Sequence, residues 1–446
     1  MSDLKKILSN FAKEQIANEN LAGLKSLRQK ALDEFIEVGF PGKKDEDWQD
    51  LNIDRFLKKN YSFECSPTHE IDDFSCQMVD IDSSKYYLIN SKKLIENNGH
   101  IKSEISVKNI LDTDENILNQ HFNKIAKDDN NGFNLINTAA FTGGFFINVP
   151  DNTNAEIPLQ FISLNNCNNN SFSNIRNLII VGRNSTVKII QCDDTIHNND
   201  YFINSLTEIF VAENSNVELY KMYNLSNYSA AINSIYINQE ENSVFKSFYF
   251  ELNAGLLRNN LYTNLNGKKA ESLTYGIYFA DKQQQMDNNV RINHIAPSCY
   301  SEQIFKGIVD DMGQAIFNGL IVVDREAQKT VASQINRNIL LTDKAKTVAK
   351  PFLEIYADDV KCSHGATNGQ LDENALFYLQ ARGISFEKAR MLLLHAFVGE
   401  IINKIKIEAI SLRINDLVKK RLNGELSDCS SCVLKCSDAK VNKECY

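Results

Sequence analysis

A short Asn-containing turn recurs about every 30 residues in the middle of this chain, and it restricts the fold more than any other feature. Asn184-Ser-Thr-Val187 is followed by Asn214-Ser-Asn-Val217 and, more loosely, by Asn242-Ser-Val244. An apolar run precedes and follows each copy. Periods of roughly 20–50 residues are typical of stacked repeats, because a single unit cannot bury its apolar side alone.

The runs around these turns have the composition of β-strands. They are short, rich in β-branched and aromatic residues, and separated by Asn, Ser, Gly and Asp, which is typical of strands joined by turns. The clearest runs are Phe145–Val149, Leu159–Leu164, Leu178–Val181 and Val187–Gln191. Because the repeat contains almost no helical pattern, we predict a β-helix. A β-sandwich with regular hairpins is the competing interpretation, although tight Asn-Gly and Asp-Gly turns are scarce.

Helical patterns flank this region on both sides. At the N-terminus two amphipathic helices are predicted before Gly39, and the only Trp, Trp48, is interpreted as an anchor onto the next domain. After residue 370, Asp372 and Ser385 are plausible N-caps of two helices, and a third helix ends near Gly424. We therefore predict an N-terminal helical and mixed region at 1–140, a β-helix core at 141–368, a C-terminal helical region at 369–426 and a Cys-rich tail at 427–446.

Charge and motif content exclude several classes of function. The net charge is −9, with 48 Lys and Arg against 57 Asp and Glu, which disfavours nucleic-acid or anionic-membrane partners. No apolar run approaches the roughly 18–20 residues that span a bilayer, so we expect a cytoplasmic protein. The chain lacks a phosphate-binding loop and the common hydrolase motifs, and we therefore expect no ATPase activity of its own.

One segment carries residues suited to metal chemistry. In a strand, Cys362 and His364 would lie on one face, because side chains alternate with a period of two. A thiolate and an imidazole side by side can both bind one soft metal ion. Zn²⁺ or an iron–sulfur cluster usually takes four ligands, so this pair either needs a partner to complete it or is structural.

The same segment belongs to a set of motifs that resembles the SufB/SufD family of iron–sulfur cluster assembly proteins, and SufD more than SufB. The resemblance is densest from about 290 to 400 and rests above all on the Asp-Asp-Val-Lys-Cys-Ser-His-Gly-Ala-Thr run that ends at Thr367. The other motifs are Arg291–His294 with Pro297, Phe305-Lys-Gly-Ile308, Phe317-Asn-Gly-Leu-Ile321, Gln370-Leu-Asp372, Phe377-Tyr-Leu379 and Ala381-Arg-Gly-Ile384.

The resemblance implies a fold and a set of partners. The fold would be a right-handed parallel β-helix between helical ends. The chain would be a scaffold subunit, not an enzyme, that helps iron acquisition and cluster formation at the interface with a SufB-type paralogue. An ABC-type ATPase, SufC, would dock on the C-terminal helices. Whether the isolated chain forms a homodimer instead is left open. The transient iron or iron–sulfur cluster would be shared at the interface through His364 and Cys362, and the expected ATPase-docking residues are Leu392, Leu393 and Phe397.

The remaining cysteines and histidines are weaker candidates. His294 with Cys299, His395, Cys167 and Cys192 are interpreted as structural or incidental. The tail spacing of Cys429, Cys432, Cys436 and Cys445 suits an accessory Zn²⁺ site or a cluster, with a tail that binds metal only adventitiously as the alternative.

Two other functions stay open at this point. One is a SufB-like primary cluster scaffold. The other is a β-helical polysaccharide lyase or hydrolase, which fits the repeats but would need export and a cluster of charged residues on one face.

Overall fold

The chain forms a parallel β-solenoid built from two long sheets. We analyse a computed structural model that describes residues 3–65, 81–97, 104–126, 131–195 and 199–423. Successive strands alternate between the sheets, so strands n and n+2 are paired in parallel along most of the stack. The predicted β-helix is confirmed, and the β-sandwich alternative is wrong because sequential strands are not paired as hairpins within the stack.

The first sheet has ten strands, and the second has nine. The ten-stranded sheet contains β1 (Ser84–Ile89), β2 (Lys93–Asn97), β5 (Leu159–Asn165), β7 (Thr186–Thr195), β9 (Asn216–Asn224), β11 (Val244–Asn253), β13 (Glu271–Ala280), β15 (Tyr300–Val309), β17 (Val331–Leu340) and β19 (Lys361–Gly369). The nine-stranded sheet contains β3 (Ser106–Asn109), β4 (Phe145–Val149), β6 (Ser171–Val181), β8 (Tyr201–Val211), β10 (Ala230–Gln239), β12 (Leu256–Leu265), β14 (Gln285–His294), β16 (Gln314–Val323) and β18 (Lys346–Ile355).

The recurring Asn turns form one ladder along the outside of the solenoid. Asn184, Asn214 and Asn242 all have positive φ angles, of 53°, 57° and 55°. Asn tolerates this left-handed conformation better than most residues. The side-chain amide of Asn214 donates to Oδ1 of Asn184 at 3.1 Å, and that of Asn242 donates to Oδ1 of Asn214 at 3.2 Å. The period in the sequence therefore corresponds to one turn of the solenoid.

The space between the two sheets, here called the lumen, is filled by side chains. Apolar residues of both sheets meet there, as where the rings of Phe305 and Phe317 lie 5.1 Å apart. Polar side chains are also buried in the lumen. Tyr223 donates to Oδ1 of Asn259 at 2.7 Å, and Asn259 donates to Oε1 of Glu251 at 2.8 Å. The lumen is therefore a mixed core of apolar residues and polar networks.

The N-terminal region covers the outer face of the nine-stranded sheet. Its helices are α1 (Asp3–Ala17), α2 (Ala22–Val38), α3 (Asp54–Leu57), α4 (Glu115–His121) and α5 (Gly132–Ala140). Trp48 is buried between this region and the solenoid, with the Arg258 guanidinium 3.9 Å from its ring centroid. Arg258 also pairs with Asp287 at 2.6 Å. The interpretation of Trp48 as an anchor is confirmed.

The C-terminal helices are α6 (Glu373–Ala381), α7 (Phe386–Ile402) and α8 (Glu408–Leu422). Helices α7 and α8 pack on the outer face of the ten-stranded sheet, whereas α6 contacts α7 and has no buried residue. Asp372 and Ser385 accept hydrogen bonds from backbone amides of the first turns of α6 and α7, which confirms both predicted caps. Lys306 of β15 donates to the Phe397 carbonyl at 2.7 Å and ties α7 to the solenoid. The described helices include none with the length and apolar character needed to cross a bilayer.

A disulfide joins Cys65 to Cys167 and corrects the interpretation of Cys167 as incidental. The two residues are 102 positions apart in the chain, with Cα atoms separated by 5.2 Å. The Tyr201 hydroxyl donates to the Cys167 carbonyl at 2.8 Å, and this bond holds the turn that presents the thiol. The spacing of the two cysteines in the sequence does not predict that they are close in the fold.

Candidate functional site

The C-terminal end of the solenoid is open among the described residues. β18 and β19 are the last strands of their sheets, and each is paired along one edge only. Most of β19 is exposed, and β18 is exposed or half-buried, whereas the strands two turns earlier are largely buried. Phe352 of β18 is 56% exposed. This end therefore combines unpaired backbone groups with exposed apolar side chains, which favours pairing with another chain.

The structure places both sequence-predicted ligand residues on this terminal edge. Cys362 and His364 lie in β19 and share one face, as the alternation of side chains requires. Cys362 is half-buried beside Leu353, whereas His364 is exposed. Burial raises the pKa of the Cys362 thiol, although the contact with the Ala332 backbone opposes that shift. The protonated thiol is therefore favoured over the thiolate near neutral pH.

Two glutamines lie beneath His364 in the same lumenal row. Gln303 of β15 is in register with Gln334 of β17, which is in register with His364. Both glutamine side chains are fully buried, and neither their amide nitrogens nor their amide oxygens have a hydrogen-bond partner. The sequence analysis missed these two glutamines because Gln belongs to none of the metal-binding motifs considered. Only the strand register, which aligns them with His364, reveals them.

The other histidine and cysteine candidates have local structural contacts. His294 is fully buried, its Nε2 lies 2.8 Å from the Ser301 hydroxyl, and burial lowers its pKa to about 4. The Cys299 thiol donates to the Gly267 carbonyl at 3.2 Å. His395 Nε2 lies 3.0 Å from Oδ1 of Asn415, between α7 and α8. Cys192 of β7 is buried in an apolar cluster that also includes residues of α7 and α8.

The predicted docking residues on α7 face different surroundings. Leu392 is 46% exposed, whereas Leu393 and Phe397 are half-buried. The Lys306 ammonium lies 4.7 Å from the Phe397 ring centroid, so this ring also packs against the solenoid. The exposed apolar surface extends beyond the predicted set to Phe377, Tyr378 and Phe386, of which Phe377 is 74% exposed. We call Phe377, Tyr378, Phe386 and Leu392 the helical apolar patch.

The structure shows no complete metal site in the part of the chain that it describes. No group of three or more His, Cys, Asp or Glu side chains is arranged to hold a metal ion there. Cys362 and His364 would supply two of the four ligands that a cluster or Zn²⁺ usually takes. The proposed accessory site at Cys429, Cys432, Cys436 and Cys445 lies outside the described residues.

Comparison with known protein families gives matches along most of the chain. Residues 163–397 match the family model "SUF system FeS cluster assembly, SufBD core domain". Residues 4–161 match the model "SufBD protein N-terminal region". The first match includes the strand that carries Cys362 and His364 and most of α7.

Curated relatives agree with these matches. An iron-sulfur cluster assembly SufBD family protein of Synechocystis sp. is 30% identical over 424 residues, covering 88% of this chain and 90% of the relative. The iron-sulfur cluster assembly protein SufD of Escherichia coli is 34% identical over 226 residues, covering 50% of this chain and 53% of the relative. SufD of Bacillus subtilis is 23% identical over 418 residues, covering 90% of this chain and 94% of the relative.

Proposed function

Since the chain belongs to the SufBD family of iron–sulfur cluster assembly proteins, we propose that it is a SufD-like, non-catalytic scaffold subunit. Two relatives that are similar over half of the chain or more carry the name SufD. Because the chain belongs to this family, we no longer consider a polysaccharide lyase or hydrolase as its function. In this role the iron or nascent cluster is cargo, which the scaffold holds and passes on.

The single observation that carries the proposal is the incomplete ligand pair on an unpaired edge. Cys362 and His364 present a thiol and an imidazole at the last strand of the solenoid, where backbone groups are free to pair with another chain. A SufB-type paralogue bound along this edge would add the missing ligands. The assembled interface would then hold iron or a nascent cluster, with the imidazole nitrogen and the thiolate of this chain as donors.

The helical apolar patch is proposed as the docking surface for a SufC-type ATPase. The patch spans α6 and the start of α7, on helices that continue the solenoid, and it exposes aromatic side chains that favour protein contacts. Lys306 pairs with Glu400 of α7 at 2.5 Å, so α7 is joined to β15 by a charge pair as well as by packing. A movement of the docked ATPase would therefore be transmitted to the solenoid.

The first experiment removes the imidazole at the edge. The His364→Ala variant is co-expressed with a SufB-type paralogue and a SufC-type ATPase, and complex formation and iron content are measured. We expect an intact complex with reduced cluster delivery, because an exposed side chain contributes little to folding. Ser363→Ala is the matched control, since Ser363 is an exposed neighbour on the opposite face of the same strand.

Three outcomes would contradict this assignment. Full cluster delivery by the His364→Ala complex would remove His364 from the mechanism. A loss of folding and assembly would instead make His364 a structural residue. An equal loss of cluster delivery in His364→Ala and Ser363→Ala would show that the strand tolerates no substitution and that the imidazole has no specific role.

The second experiment tests ATPase docking. Leu392→Glu places a charge in the helical apolar patch and should weaken the complex with the SufC-type ATPase in a pull-down assay. Leu412→Glu is the control, because Leu412 of α8 is 63% exposed and lies outside the patch. The assignment fails if Leu392→Glu binds as wild type, or if a chain lacking residues 372–446 still binds the ATPase. Charged variants of Leu393 and Phe397 are less informative, since both side chains are half-buried.

A further inference from the structure

We propose that Gln334 is a positioning residue for His364, and that its side-chain amide fixes which imidazole nitrogen is presented at the open edge. This inference rests on the proposed function, because it assumes that His364 is a ligand to the cargo. It assigns a role to a buried residue that lies one strand beneath the edge. The two side chains are not hydrogen-bonded in the structure, so the amide would act on His364 through a water molecule or after the imidazole turns toward it.

The register places Gln334 directly below His364. The two residues are Cα partners of the parallel strands β17 and β19, and strands paired in this way lie about 4.8 Å apart. Gln334 shares its face with Asn336, whose amide donates to the Tyr278 hydroxyl at 2.7 Å inside the lumen. Both side chains of the Gln334–His364 pair therefore project from the same side of the sheet, one above the other.

The amide of Gln334 is buried and is held within the lumen. The side chain crosses to the opposite sheet, where its Nε2 occupies the space that a Cβ atom at Gly319 would need. A residue larger than Gly at 319 would displace it. Neither amide atom has a hydrogen-bond partner within the protein, so the group is available to a new donor or acceptor.

The surroundings limit where that partner can come from. Below Gln334 lies Gln303, which is likewise buried and is not hydrogen-bonded to it. Above it lies His364, the first residue of this row that reaches the surface. A hydrogen bond from His364 Nδ1–H to the Gln334 oxygen, direct or through water, satisfies the amide and leaves Nε2 as the free lone pair.

This arrangement matches a general need of histidine ligands. A metal-binding imidazole usually donates its second N–H to an oxygen acceptor, which fixes the tautomer and the ring orientation. Loss of such an acceptor typically costs about 10–100-fold in metal affinity. Gln334 supplies an oxygen from within the chain, before any partner is bound.

The test compares three variants of the full chain. Gln334→Met removes the amide but retains a long side chain, Gln334→Glu retains an oxygen acceptor, and Gln303→Met is the control one strand further from the edge. Each protein is labelled with ¹⁵N-histidine, and the His364 signals are identified by their loss in His364→Ala. The nitrogen shifts report which ring nitrogen carries the proton, and melting temperatures check the fold.

We expect one dominant tautomer, protonated at Nδ1, in wild type, Gln303→Met and Gln334→Glu, and a mixed population in Gln334→Met. In the complex with a SufB-type paralogue, Fe²⁺ affinity should fall by about 10–100-fold in Gln334→Met and recover in Gln334→Glu. An unchanged His364 tautomer in Gln334→Met overturns the proposal, as does an equal change in Gln303→Met. If Gln334→Met does not fold, the spectrum of Gln334→Glu tests the proposal instead. The proposal is wrong if His364 in Gln334→Glu is no longer protonated mainly at Nδ1.

The two proposals fail in different ways. If the tautomer depends on Gln334 but His364→Ala delivers clusters normally, then the positioning contact stands and the proposed function of His364 falls. If His364→Ala blocks delivery but the tautomer is independent of Gln334, then only the positioning role is wrong.

Discussion

Replacement of Glu251 by Gln should change how the stability of the protein depends on pH. Glu251 lies in the lumen and is fully buried, with Asn259 donating to its Oε1 at 2.8 Å and no hydrogen-bond partner at Oε2. Burial raises the pKa of this carboxyl from 4.5 to about 8, although the neighbouring amides of Asn288 and Asn259 oppose the shift. In the folded protein at pH 7 the group is therefore mostly protonated.

The magnitude follows from proton linkage. In the unfolded chain Glu251 ionises near pH 4.5, whereas in the folded chain it keeps its proton up to about pH 8. Below pH 4.5 both states hold the proton, so the group makes no pH-dependent contribution. Between these values the free energy of unfolding falls by about 1.4 kcal/mol per pH unit, or about 3 kcal/mol from pH 5 to pH 7.5, and above pH 8 the loss is complete.

The assay is urea unfolding of wild type and Glu251→Gln at pH 5 and at pH 7.5. Gln cannot ionise and keeps an oxygen that accepts the Asn259 hydrogen bond. We expect the variant to gain stability relative to wild type by about 3 kcal/mol as the pH rises. Asp194, whose pKa burial raises to about 7, is present in both proteins and cancels in the comparison. A stability difference that stays constant between the two pH values would refute the reasoning.

Three further changes have expected outcomes. Cys65→Ser should lower the free energy of unfolding by about 2–5 kcal/mol, because it opens a long disulfide loop, and added reductant should destabilise wild type but not the variant. Arg258→Met should cost about 3–5 kcal/mol in chemical denaturation by leaving Asp287 as an unpaired buried charge, and the double variant with Asp287→Asn should recover part of that loss. Serine replacement of the four tail cysteines should leave cluster delivery in cells unchanged while lowering the zinc bound to the isolated chain; failed delivery with an intact complex would instead place the tail in the mechanism. The tail residues are Cys429, Cys432, Cys436 and Cys445.

The β-helix and its flanking helices could be predicted from the sequence because the patterns that indicate them involve residues close together in the chain. The Asn turns repeat with the period of the solenoid, and Asp372 and Ser385 cap helices through atoms a few residues away. Cys362 and His364 share a face because alternation in a strand depends only on spacing. Each of these predictions needed only short-range geometry.

The remaining features depend on contacts between distant residues. The Cys65–Cys167 disulfide joins positions 102 residues apart, and no spacing rule predicts it. Gln334 and His364 meet through the register of β17 and β19, which the sequence pattern does not specify. The family resemblance implied that Phe397 is a docking residue, but only the packing against Lys306 shows that its ring also faces the solenoid.

The two ends of the solenoid differ in a way that limits how many subunits can associate. At the N-terminal end the sheets finish with β2 and β3, which run antiparallel to their neighbours β1 and β4. At the C-terminal end they finish with β18 and β19, long strands that continue the parallel stack. The strands β2 and β3 at the other end of such a subunit therefore do not repeat the parallel edge that β18 and β19 present. If subunits pair through β18 and β19, growth would stop at a closed pair and would not continue into a filament.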